Sequence, residues 1–66
     1  MQQNKLRELR MKNNLTQKQV AKLLGLQCED RLSHWENGLA MPSVRNLFRL
    51  ANIYKVMPND LYINYP

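Results

Sequence analysis

Apolar residues recur at helical spacing along the chain, and polar breaks divide them into five short segments. Leu6 and Leu9 stand three residues apart within 4–12, with Arg7, Glu8 and Lys12 placed elsewhere around that helix. Asn13 and Asn14 end the pattern, because Asn favours turns. Val20, Ala21 and Leu24 form the stripe of a second helix, with Lys18 and Lys22 on its wet side. Its start carries a capping-box pattern, Thr16-Gln17-Lys18-Gln19. There Thr16 accepts from the backbone N–H of Gln19, and the Gln19 side chain reaches back to the N–H of Thr16. Gly25 suits the left-handed conformation that stops a helix sharply.

The third helix is expected to start near Glu29 or Asp30, where an acid suits the positive end of the helix dipole, and to stop at Gly38. Leu32 and Trp35 are its core residues. Asp30, His34 and Asn37 then point nearly opposite Leu32, with Ser33 and Arg31 flanking. Pro42-Ser43 opens a fourth helix whose buried face is expected to hold Val44, Leu47, Leu50, Ala51 and Tyr54. Met57 to Leu61 reads as a short fifth helix with Pro58 in its first turn. No strand pair is visible. The expected fold is all-α, a compact domain of five helices.

Length and charge narrow the classes of function. Sixty-six residues make one domain, 1–66. A chain of this size buries only about 60% of its unfolded surface, leaving little room for an enclosed active site beside a core. Lys and Arg number 10 against 5 Asp and Glu, a net charge of +5, which suits a polyanionic partner. The charge is uneven: Glu29, Asp30 and Glu36 fall close together, whereas Glu8 is the sole acid before residue 29. A lone Cys28 cannot form an internal disulfide and fits a reducing compartment. No apolar run approaches the roughly 20 residues of a membrane span, and no signal-peptide core is present. The expectation is a cytoplasmic protein.

A capped helix, a glycine turn and a second short helix make a helix-turn-helix, over about residues 16–37. The major groove admits one α-helix. A short helix lying there must be held by another that crosses the backbone. Close packing of the two needs a tight turn at Gly25 and a small residue, Ala21, at the contact. The polar start of the second helix, at Thr16, can then offer N–H groups and a side chain to phosphate.

The chain resembles the Cro/CI-type (xenobiotic-response-element type) helix-turn-helix regulators, a lambda-repressor-like fold. The resemblance rests on Leu6-Arg7-Glu8-Leu9-Arg10, Leu15-Thr16-Gln17, Val20-Ala21, Leu24-Gly25, Leu32-Ser33-His34-Trp35-Glu36, Gly38, Pro42-Ser43 and Leu47, with Val56 and Leu61 in the closing helix. It covers residues 5–62 and implies operator binding as a homodimer, with control of transcription, most simply repression, and no cofactor. It also implies roles for single residues. Arg10 and Glu36 match a structural ion pair between the first and third helices. Gln17 matches a phosphate contact. Glu29, Asp30 and His34 match positions whose side chains reach base edges. From Gly25 to Gly38 this sequence is one residue longer than the family's common spacing, the extra residue falling within 26–29. Acids at positions 29 and 30 stand where neutral polar residues are common. The loop 39–41 carries no basic residue, so phosphate contacts there would use backbone N–H groups or Arg45.

The candidate base readers are therefore Glu29, Asp30, Arg31, Ser33 and His34, and the candidate phosphate contacts Thr16, Gln17, Lys18, Asn37 and Arg45. Each has a plainer alternative. Glu29 and Asp30 can accept from cytosine N4, or simply cap the helix. Arg31 can meet guanine or phosphate, or pair with a neighbouring acid. His34 points outward as a base reader would, whereas a zinc site would need more ligands than Cys28 supplies. Arg7 and the lysines read as a solvated face, with Lys18 and Lys22 near phosphate. Tyr62, Ile63 and Tyr65 form an apolar tail that either packs on the core end or joins two copies. Two rivals come from other classes. One is a module that docks a protein such as a toxin or phage protein, favoured by the acids on the third helix. The other is an enzyme, for which the sequence offers no catalytic set, no metal cluster and no phosphate loop.

Overall fold

The computed structural model describes residues 4–62. Four α-helices follow one another: Leu6–Lys12 (α1), Gln17–Leu24 (α2), Asp30–Glu36 (α3) and Val44–Tyr54 (α4). α3 packs against α1 and α2, α2 against α4, and α4 against the segment at Pro58–Asp60. Leu6, Val20, Leu24, Leu32, Trp35, Leu50, Tyr54 and Leu61 meet in one buried cluster. Full burial of each such side chain is worth about 1.5–3 kcal/mol, so a few residues per helix hold these short helices together. No helix among the described residues is long and apolar enough to cross a membrane.

Local signals act where they were expected. Thr16 Oγ1 accepts from Gln19 N at 3.1 Å, and Gln19 Oε1 accepts from Thr16 N at 2.8 Å. Gly25 ends α2 at φ 77°. That value lies in the left-handed region that favours glycine.

Two expectations are corrected. The fifth helix is only a three-residue 3₁₀ turn, Pro58–Asp60. Its bonds, Asp60 N to Met57 O and Leu61 N to Pro58 O, are of the i→i+3 kind. Directly after it the backbone pairs with the residues before α1: the Leu61 carbonyl accepts from Lys5 N at 2.8 Å, beside an isolated antiparallel bridge between Asn4 and Tyr62. The second correction is Val44, placed by its spacing on the buried face but 69% exposed. Ser43 caps α4, its Oγ accepting from Asn46 N at 3.2 Å, which makes Val44 the first helical residue. The fully buried residues of α4, Leu50, Ala51 and Tyr54, lie in its C-terminal half; Leu47 is half-buried against the same cluster, and Val44, a turn earlier, lies beyond it. Of the expected apolar tail, Ile63 and Tyr65 lie outside the described residues; Tyr62 is half-buried.

Candidate nucleic-acid interface

α3 has two faces of opposite character. On the inner side, Glu36 stands where α1, α2 and α3 meet, and its side chain has 0% exposure. An isolated buried carboxylate would be costly. Here three residues satisfy it. Arg10 Nε donates to Oε2 at 2.7 Å and Nη2 to Oε1 at 3.3 Å; Gln17 Nε2 donates to Oε1 at 3.0 Å; Arg7 Nε reaches Oε1 at 3.5 Å. The Arg10 side chain is 13% exposed, and a further donation from Nη1 to Leu15 O at 2.9 Å fixes its plane. The hydrogen bond to Glu36 raises the Arg10 pKa above its ordinary value, against a smaller opposing effect of burial. The structure thus brings Arg10 and Glu36 together across α1 and α3.

Tyr54 lies in the same core with its hydroxyl buried and without a partner among the described residues. Burial pushes the phenol pKa up, and the Glu36 charge pushes it further.

The outer face is different. Asp30, Arg31 and His34 are exposed, and none makes a side-chain hydrogen bond or ion pair among the described residues. Glu29 occupies the N-cap position of α3 but accepts no capping bond, and its side chain is half-buried. The capping alternative for the two acids is therefore not what the geometry displays. Arg31 and His34 look across a shallow groove to Ala40, Ser43 and Asn46 at the start of α4. Arg45, the basic residue expected to serve there, does not line that groove, whereas Ser43 and Asn46 do. A second groove runs between Lys18 and Lys22 of α2 and the turn residues Gln27, Cys28 and Glu29.

The remaining candidates are already engaged. Thr16 Oγ1 accepts at the cap and keeps its proton, Gln17 donates its amide to Glu36, and Asn37 accepts from Arg7 Nη2 at 2.9 Å while donating to Ser33 Oγ at 3.3 Å. Arg7 was assigned by spacing to a solvated face, yet it spans 30 residues of sequence to reach Asn37. Nothing local in the sequence marks that contact. Among the described residues no cluster of His, Cys, Asp and Glu could hold a metal ion.

Four helices, with a capped α2 turned by glycine into a short α3 of free outer face, define a helix-turn-helix protein. A family model described as helix-turn-helix matches residues 6–61. The chain belongs to that family, in its Cro/CI (xenobiotic-response-element) type. The fold is also that of the crystal structure of a candidate DNA-binding protein from Bacteroides fragilis. The two are 24% identical with a TM-score of 0.80, over 92% of this chain and 97% of that one. No curated protein matches the chain.

Proposed function

We propose that this protein reads duplex DNA through α3 and regulates transcription, as a repressor acting from a palindromic operator. The observation that carries the reading is the contrast across α3. Its inner face is saturated by Arg10, Gln17 and Arg7, while Asp30, Arg31 and His34 on the outer face are exposed and unpaired among the described residues. A helix fixed from behind and free in front suits insertion into a major groove.

In this reading Arg31 and His34 meet base edges or phosphate, and the carboxylates of Glu29 and Asp30 accept from cytosine N4. The same carboxylates repel phosphate, weakening non-specific binding and so sharpening selectivity. Lys18, Asn37, Arg45 and the start of α2 at Thr16 and Gln17 face the backbone. The protein works in the cytoplasm, without catalysis or cofactor. It binds as a homodimer, with half-sites about one helical turn apart.

A second reading, docking of a partner protein, is favoured by the exposed apolar side chains Leu39, Met41, Val44 and Phe48, in the loop after α3 and the first turns of α4. Site selection from random duplex DNA at two salt concentrations separates the two. A palindromic consensus supports the regulator. Binding that enriches no sequence and vanishes as salt rises removes it and leaves the docking module.

A further inference from the structure

Arg7 begins a chain of hydrogen bonds that ends on the flank of α3. A guanidinium donates and cannot accept, so Arg7 can hold Asn37 only by its carbonyl oxygen. The contact of Nη2 with Oδ1 at 2.9 Å is of that kind. Once the oxygen is held, the Asn37 amide nitrogen is turned away, and it donates to Ser33 Oγ at 3.3 Å. Ser33 then accepts from within the protein and keeps its own proton to give. No acceptor for that proton occurs among the hydrogen bonds of the described residues. Arg7 can hold this arrangement because it is itself steadied by Glu36, 3.5 Å from its Nε.

We propose that Arg7 is a positioning residue for sequence reading: through Asn37 it sets the Ser33 hydroxyl as a hydrogen-bond donor. The flank of α3 then favours a base edge that accepts, such as guanine O6 or N7, adenine N7 or thymine O4, since the hydroxyl proton is free while one of its two lone pairs is already given to Asn37. The inference rests on the DNA-reading function proposed above. It is distinct from the Arg10–Glu36 pair, which acts on how α3 is held and not on what it presents.

The test is site selection from random duplex DNA with the wild-type protein and the variants Ser33→Ala, Arg7→Ala, Arg7→Lys and Asn37→Asp. The wild type is expected to enrich one site. Ser33→Ala should flatten the preference at one base pair, and Arg7→Ala should flatten the same pair, by about tenfold or less, the worth of one hydrogen bond. Arg7→Lys, which also only donates, should keep it. Asn37→Asp keeps the Arg7 contact but can only accept, so it should draw the Ser33 proton inward and shift that base pair towards edges bearing an amino group. A loss of stability alone would weaken every position alike. An Arg7→Ala protein that leaves the site unchanged, weakens all positions equally or flattens a different pair overturns the relay and leaves the DNA reading intact. A wild-type protein that enriches no site overturns both.

Discussion

α2 and α3 are neighbours in one motif, of nearly equal length, and they are secured by different means. α2 adds local chemistry at both ends to its buried Val20 and Leu24: a reciprocal capping box at Thr16 and Gln19, and a left-handed glycine at its end. α3 has no side-chain cap at Glu29; its local support lies at its end alone, where Gly38 closes it at φ 76° as expected, with Leu39 N donating to His34 O at 2.9 Å. What holds α3 is tertiary: Leu32 and Trp35 in the core, and Glu36 against side chains from α1 and α2. A seven-residue helix is far too short to persist alone. The difference has a use. A helix supported through its inner face needs none of its outer side chains for its own stability, so they are free to meet a partner.

The largest effect should come from removing the main support of α3. Arg10→Ala leaves the fully buried Glu36 carboxylate without its principal partner. Breaking such a pair costs about 3–5 kcal/mol, a large share of the stability of a domain this small. The variant should be largely unfolded near physiological temperature, read by circular dichroism and thermal melting. A melting temperature within a few degrees of wild type would show that α3 does not depend on the pair.

Thr16→Ala tests the other helix. It removes one hydrogen bond of the capping box and should cost about 1 kcal/mol, which for a domain of this length lowers Tm by about 4–8 °C. DNA affinity should fall by a similar factor for every sequence, if Thr16 also meets phosphate. A variant with unchanged Tm would mean that α2 too is held from outside.

How well each region could be read from sequence follows the same division. The capping box, the glycine stop and the Leu32–Trp35 spacing involve residues within a few positions of each other, where helix geometry alone decides who meets whom. The donors gathered on Glu36 lie 19, 26 and 29 residues away in sequence. Only the family resemblance pointed to Arg10; Arg7 had no signal at all. Val44 failed for a related reason. Its spacing marks the correct stripe of α4, but spacing does not say how far the neighbouring helices extend beneath that stripe. The segment after α4 misled in another way: Pro58 is a good helix starter, yet past a single turn the backbone pairs with Asn4 and Lys5, far off in sequence. The choice of Gln17 as a phosphate contact came from family position, and the structure adds that its amide already serves Glu36, as that of Asn37 serves Arg7 and Ser33.

The core beneath the two helices carries one imperfection that can be repaired. The Tyr54 hydroxyl is buried without a partner among the described residues, which costs about 1–3 kcal/mol. Tyr54→Phe should therefore leave stability unchanged or raise it by about 1 kcal/mol. The phenol also sets an alkaline limit. Its pKa is raised in the fold, so the unfolded chain gives up this proton first. The stability it contributes is complete below the ordinary value of 10.0 and is lost as pH rises from there towards the raised folded value. Urea unfolding at pH 8 and above pH 10 should show a smaller loss for Tyr54→Phe than for wild type. A strongly destabilised Phe variant would mean that the hydroxyl is bonded in solution, through an ordered water.

The smallest expected effect on stability is the most informative for α3. Glu29 sits at an N-cap position, where a capping side chain would be worth about 1 kcal/mol, but it caps nothing. Glu29→Ala should then change stability by no more than about 0.5 kcal/mol, since only the attraction of a carboxylate to the helix dipole is lost. The same substitution should raise affinity for non-specific duplex DNA, by removing a negative charge from the face that meets phosphate, and should relax selection at one base pair. Thermal melting and site selection on one protein sample check both halves. A loss of 1 kcal/mol or more with unaltered selection would make Glu29 a cap after all, and α3 would then resemble α2 in carrying its own local support.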